Sequence, residues 1–370
     1  MENGEEAAWY MAAGWVRVSR PPATLRGDMP FPTTVRSFAK INLGLRIGPP
    51  RADGFHHLHT LYQTIGLHDQ VAVEAEAAQT LSIRLTSSDP RLPTDARNTV
   101  YRMIAAALTA MEMTANVHVH LQKNLPVQGG LGAGSANAAA ALLGLERQLG
   151  TALSGPQRLA LAERIGSDVP LFLIGGTVYG HNRGELVLPY PDLPALPCVI
   201  VAPGVGSSTP LAFKAWDQRV AALTPVAAQD RLHELSRIYA SAFTPVGMGE
   251  IGASGASGAR DLKGSAAGSL AGNPLPALVR TGIENDFEEV VFQQHPFLRD
   301  IKRALLGDEG LPVEQQAVTA SLSGSGSSLF GLYRTEDDAK AAQARAQALG
   351  GKAFLTETLT RETYWRSLFV

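Results

Sequence analysis

Pro126-Val127-Gln128-Gly129-Gly130-Leu131-Gly132-Ala133-Gly134-Ser135-Ala136-Asn137 is the stretch that decides how this chain is read. Before it, Val117, Val119 and Leu121 alternate with His118 and His120, the period of a half-buried strand. After it, Ala138 to Leu145 contains only Ala, Leu and one Gly and favours helix. Four glycines therefore lie on a loop that leaves a strand and opens a helix. Glycine lets backbone amides approach a ligand with no Cβ in the way. A helix N-terminus adds free N–H groups and the positive end of the dipole. The combination is an anion site, most often for phosphate. No Gly-Lys-Ser/Thr follows, and Ser135 stands where a G-x-G-x-x-G run from Gly130 needs its last glycine, so neither common nucleotide fingerprint applies.

The 370 residues suffice for two domains. Hydrophobic residues at 45% and charged residues at 18% indicate a packed globular protein. A net charge of -2 with no basic run argues against nucleic acid or a membrane surface as a partner. Cys198 is the single cysteine, so no intrachain disulfide forms; beside the apolar run Val199-Ile200-Val201 it reads as a buried, inert thiol. The composition points to a cytoplasmic protein. Ala7 to Val16 imitates a signal core, but Glu2, Glu5 and Glu6 precede it where a signal peptide carries positive charge. Residues 1–33 are read as a disordered N-terminal extension outside the fold, with Met29 as an alternative start.

Strands are expected at Val35–Ile47, Leu58–Leu67, Gln70–Ala75, Val117–Leu121, from Val169 to Val178, at Cys198–Ala202, at Ala317–Leu322 and, closing the fold, at Ala353–Thr358. Helices are expected over Asn98–Met113, from an N-cap at Ser154 to near Gly166, near Pro296–Leu306 and over Ala339–Leu349. Gly247–Asn273 is rich in Gly, Ala and Ser and poor in large apolar residues, the composition of a flexible insertion. Mixed strands and helices in two halves indicate an α+β protein.

Three further segments carry chemistry. Ser37-Phe38-Ala39-Lys40-Ile41-Asn42-Leu43 sets a lysine among strand-like apolar residues, where an edge position would let it snorkel. Gly166-Ser167-Asp168-Val169-Pro170 carries an aspartate that on local grounds is a turn former. Ser321-Leu322-Ser323-Gly324-Ser325-Gly326-Ser327-Ser328-Leu329-Phe330 is a second glycine turn.

The glycine loop resembles the phosphate loop of the GHMP kinases, the superfamily of galactokinase, homoserine kinase and mevalonate kinase. With Arg51-Ala52-Asp53-Gly54-Phe55-His56, with Pro203-Gly204-Val205 followed by Thr209-Pro210, and with the three segments above in this order, the chain resembles the 4-diphosphocytidyl-2-C-methyl-D-erythritol kinases, from about Thr34 to Leu368. The Arg51–His56 run discriminates best, because other GHMP kinases share the loop but not this run.

The resemblance implies a two-domain GHMP kinase fold: a ribosomal protein S5 domain 2-like ATP-binding domain at 34–190, and a ferredoxin-like domain at 191–370 interrupted by the 247–273 insertion. It implies ATP as phosphoryl donor, Mg²⁺ with it, a small-molecule substrate, and a monomer or weak homodimer. Asp168 would be the general base. Lys40 would steady its carboxylate in the ionised form and orient the hydroxyl, since a nearby opposite charge favours ionisation. Pro126, Gly129, Gly130, Leu131, Gly132, Ala133, Gly134, Ser135 and Ala136 would cradle the ATP phosphates, with Asn98 and Lys123 on the adenosine side. Asn42 would help hold the substrate. Phe55, His56 and Phe213 would hold a cytosine by stacking and edge contacts, with Thr209 nearby. No carboxylate cluster marks a metal site; Ser135 is the one candidate ligand. Two residues depart from the pattern. Phe55 stands where the family usually has Tyr, and Ala136 where it usually has Ser, so one hydroxyl contact is missing at each end. A GHMP kinase of another substrate, or a non-catalytic nucleotide-binding regulator on the same fold, remains an alternative.

Overall fold

The computed structural model describes residues 31–126, 129–220, 232, 236, 237, 240, 284–307 and 310–370. Two sheets, each covered by helices, share a core. The first contains β1 (Thr33–Pro50), β2 (His56–Ala77), β3 (Ser82–Ser87), β4 (Ala115–Gln122), β5 (Thr177–Asn182) and β6 (Leu186–Pro189). Its order is β3-β4-β2-β5-β6, with β1 laid antiparallel on β2 off that path. The second sheet is antiparallel, in the order β10-β7-β9-β8, from β7 (Pro197–Ala202), β8 (Thr319–Leu322), β9 (Leu329–Leu332) and β10 (Lys352–Glu357).

The helices α1 (Thr99–Ala110), α2 (Ala133–Leu149) and α3 (Gly155–Ile165) pack with the first sheet. α2 is buried along Ala136–Glu146, because its alanines let it lie close to the strands. α3 begins with a capping box between Ser154 and Gln157 and Pro156 in its first turn. The second sheet is covered by α4 (Thr209–Val220), α5 (Phe287–Gln294), α6 (Leu298–Leu306) and α7 (Glu336–Ala348). Between the sheets, Ala39, Ile41, Leu43, Leu61 and Ile65 meet Cys198, Ile200, Phe330 and Leu332 in one apolar cluster. Cys198 is fully buried there, and burial pushes its thiol far above the usual range, so it is inert.

The structure corrects four sequence expectations. Leu58–Leu67 and Gln70–Ala75 are one strand, kinked where the register shifts opposite Phe38 and Ala39. The stretch from Val169 opens not as strand but as a 3-10 turn, Pro170–Leu173, started by its proline; β5 begins only at Thr177. Thr33, placed in the extension, already belongs to β1. β10 does not close the fold: α8 (Arg361–Arg366) follows and returns the chain to the first sheet. There Leu359, Tyr364 and Leu368 join the first core, and Arg36 N–H donates to Leu368 O at 2.7 Å. The 247–273 insertion and residues 1–30 lie outside the described residues.

Candidate active site

The glycine loop folds as its composition requires. Gly130 and Gly132 sit at φ 76° and 72°, left-handed backbone that glycine adopts without strain. Gly132 occupies the N-cap position of α2 without a side-chain cap, and the first turn carries no acidic residue. The N–H groups of that turn are therefore presented to an incoming anion. Thr99 Oγ1 donates to Gly134 O at 2.9 Å and ties the start of α1 to the same turn. A Cβ on Gly166 would stand 3.9 Å from Ser135 Oγ, which places the end of α3 beside this turn.

Lys40 reaches this loop from the middle of β1. Its Nζ donates to Asn42 Oδ1 at 2.6 Å and to Gly130 O at 2.8 Å. It lies 3.7 Å from Asp168 Oδ2, within ion-pair range and beyond a hydrogen bond. Lys40 is 3% exposed and Asp168 32%, so a buried cation faces a carboxylate open to a ligand. Burial lowers the Lys40 ammonium from its usual range, and the charge of Asp168 opposes that shift. Asp168 is delivered by the turn between α3 and the 3-10 segment, where Val169 N–H closes on Gly166 O at 3.1 Å. Tyr62 O–H donates to Asp168 Oδ1 at 3.1 Å. Burial, with the Asp168 charge second, raises the phenol well above its usual range, so it stays a donor.

The second glycine turn locks the first. Gly130 O also accepts from Ser323 Oγ at 3.0 Å, and Ser328 N–H donates to Gly129 O at 3.2 Å. Asn285 Nδ2 holds that turn through Leu322 O at 2.7 Å and Gly324 O at 2.8 Å. A cavity of about 410 Å³ opens between the two turns and the start of α4, lined by Gly130, Ser207, Ser208, Thr209, Ser325 and Gly326. Thr209 Oγ1 bonds Ser325 Oγ at 2.7 Å across its edge.

α4 runs from this cavity to the other predicted pocket. There Phe213 stacks on His56 with ring centroids 4.6 Å apart and planes 13° apart. His56 Nε2 lies 2.7 Å from Asp217 Oδ1. Phe55 is 50% exposed, and the Arg183 guanidinium lies 5.0 Å over its ring.

The structure thus brings Lys40, Asn42, Asp168 and Gly130 together, and His56 with Phe213. Three predicted residues have their polar ends committed within the protein. Asn42 holds Lys40 and donates to Thr60 Oγ1 at 2.8 Å. Asn98 caps α1, accepting from Val100 N–H at 2.9 Å and donating to Pro93 O at 2.8 Å. Lys123 pairs with buried Asp69 and donates to Asn137 Oδ1 at 3.0 Å. Pro126, Leu131, Ala133 and Ala136 line or flank the loop, and Val127 and Gln128 lie outside the described residues. Sequence reasoning missed Tyr62, Asp217 and Asn285. The one available signal was the alternation of Thr60, Tyr62 and Thr64 on one side of the strand, with Leu61 opposite. Among the described residues no three His, Cys, Asp or Glu side chains gather as a metal cluster, and no helix is long and apolar enough to cross a membrane.

Residues 98–176 match the GHMP kinases N terminal domain and residues 270–352 the GHMP kinases C terminal. With both halves matched in order on this two-sheet fold, the chain is a member of the GHMP kinases. A 4-diphosphocytidyl-2-C-methyl-D-erythritol kinase from Solibacter usitatus is 36% identical over 301 residues, 81% of each chain. One from Heliobacterium modesticaldum is 33% identical over 328 residues, 88% of this chain and 95% of that one. The chain belongs to the 4-diphosphocytidyl-2-C-methyl-D-erythritol kinase family. A crystal structure of 4-(cytidine 5'-diphospho)-2C-methyl-D-erythritol kinase, 28% identical, covers 88% of this chain and 98% of its own with a TM-score of 0.59. A homoserine kinase from Cytophaga hutchinsonii, 20% identical, covers 90% and 96% with a TM-score of 0.63 and shares the fold alone.

Proposed function

We propose that this chain transfers the γ-phosphoryl group of ATP to the 2-hydroxyl of 4-(cytidine 5'-diphospho)-2-C-methyl-D-erythritol. The product is the 2-phosphate, in the non-mevalonate route to isopentenyl diphosphate. The observation that carries the reading is the convergence of Lys40, Asp168 and the uncapped start of α2 at one point. Phosphoryl transfer needs positioning and charge compensation more than covalent help. Asp168 accepts the proton of the attacking hydroxyl. The Tyr62 hydroxyl holds one carboxylate oxygen, and Lys40 faces the other. Lys40 is held by Asn42 and Gly130, so it needs no reorganisation during the reaction. The loop from Gly129 to Ser135, with Pro126 and Ala136 at its ends, wraps the phosphates. Asn98 and Lys123 shape the adenosine wall, their polar ends being engaged elsewhere.

Mg²⁺ would arrive with ATP and take most of its ligands from phosphate and water, so one or two protein oxygens would suffice; the Ser135 hydroxyl in the first turn of α2 would be one, and the ion would offset charge on the transferring phosphoryl group. Phe55, His56 and Phe213 hold the base, and Thr209, at the first turn of α4, lines the cavity beside the glycine loop. The protein acts as a monomer or weak homodimer in the cytoplasm, with the ATP-binding half at 34–190 and the remainder at 191–370.

A coupled assay of ATP consumption with the cytidine substrate, mevalonate, homoserine and galactose in parallel tests this. Turnover confined to the cytidine substrate is expected. Turnover of another alcohol instead would move the chain to a different GHMP activity, and turnover of none would make it a nucleotide-binding regulator.

A further inference from the structure

We propose that Asp217 sets the tautomer of His56 and, through it, the preference for cytosine over uracil. The proposal rests on the base-pocket reading above and adds a residue to it. His56, at the start of β2, is 6% exposed, while Asp217 is 43% exposed on α4. Phe213 and Asp217 are four residues apart, so one face of α4 presents both to the same imidazole. Phe213 fixes the plane of the ring at 4.6 Å, and Asp217 Oδ1 fixes its Nε2 at 2.7 Å. The imidazole therefore has one orientation, and the open question is which nitrogen carries the proton.

An ionised carboxylate can only accept. Nε2 facing Asp217 must then carry the hydrogen, and in the neutral ring Nδ1 is left as an acceptor. Among the described residues, Nδ1 of His56 has no hydrogen-bond partner. Cytosine presents an amino donor at C4; uracil presents a carbonyl acceptor at the same place. An acceptor at Nδ1 pairs with the first and sets two lone pairs against each other with the second. Stacking on Phe55 and Phe213 is blind to this difference. A polar group left unmatched in a closed site is what separates near-isosteric substrates. Asp217 need not touch the base to do this; it is a positioning residue that acts through His56.

The test is Asp217→Asn, which keeps the shape but lets the side chain accept from or donate to Nε2. The ratio of kcat/KM for the cytidine substrate to that for its uridine analogue should fall about tenfold or more. The loss should come through KM for the cytidine substrate, with KM for ATP and the melting temperature unmoved. Nitrogen-15 spectra of histidine-labelled protein, assigned by comparison with His56→Ala, should show His56 protonated at Nε2 alone in the unmodified enzyme and mixed in the variant. Full retention of the preference in Asp217→Asn, or a proton on Nδ1 of His56 in the unmodified enzyme, would overturn the proposal and leave the cytosine pocket standing. An unmodified enzyme that uses both substrates equally would instead overturn the pocket itself.

Discussion

At the glycine loop, the Gly130 carbonyl takes hydrogen bonds from Lys40 on the first sheet and from Ser323 beside the second; at the start of β2, proposed as the base end, His56 is held by two side chains from one helix. The first arrangement is partly buried, centres on a backbone carbonyl, and ties together segments 90 and 193 residues apart in sequence. The second depends on Phe213 and Asp217 near the surface and on a half-exposed Phe55. On the proposed reading, phosphoryl transfer is placed where a change would disturb the junction of both sheets, and base selectivity where one substitution alters a contact without disturbing the core.

The sharpest way to break the comparison is Gly130→Ala. The residue is at φ 76°, and an added Cβ would overlap the Ser323 carbonyl oxygen. The left-handed backbone and the overlap together should cost roughly 2–5 kcal/mol. Chemical denaturation should show that loss along with lost activity. In the same loop, Gly134→Ala would meet nothing closer than Thr99 Oγ1 at 3.7 Å. It should keep the melting temperature while raising KM for ATP several-fold. Equal stability of the two variants would show that Gly130 is not the junction described.

Asp168→Asn comes next. With its carboxylate a third exposed, it should fold normally and lose on the order of a hundredfold or more in kcat. A variant turning over near the normal rate would remove Asp168 from the mechanism.

Phe213→Leu moves the test to the base end. Losing a stacked ring should raise KM for the cytidine substrate by about tenfold, within the ~1–3 kcal/mol that such stacking contributes per base. Neither kcat nor KM for ATP should follow; a drop in kcat would mean that the two ends are coupled.

The smallest effect is a slope. Burial puts the Lys40 ammonium below its ordinary 10.5 in the folded protein. Between the folded value and 10.5 the unfolded chain binds the extra proton, so stability rises with pH there; below the folded value the penalty is present in full. Lys40→Met lacks that titration. The unfolding free energy of the unmodified protein relative to Lys40→Met should therefore grow as pH rises toward 10.5, by at most ~1.4 kcal/mol per pH unit. A flat difference over that range would mean that the ammonium carries no burial penalty.

Much of this was legible in the residues. The loop from Pro126 to Asn137 was legible as a glycine turn that opens a helix, because glycine spacing and helix propensity act locally. The N-cap at Ser154 and the strand at Val117 were legible because each is decided within a few residues; that Ser154 forms a capping box with Gln157 came from the structure. Lys40 and Asp168 stood out only as an oddity in a strand and a turn former, and resemblance to a family joined them. What tertiary structure alone decided are the pairings across long separations. Tyr62 meets Asp168 106 residues on, Asp217 meets His56 161 residues back, and α8 returns to β1 after more than 300 residues. No local pattern encodes such contacts, because side-chain identity states what a group can bond to, and only the packed sheets determine which partner arrives.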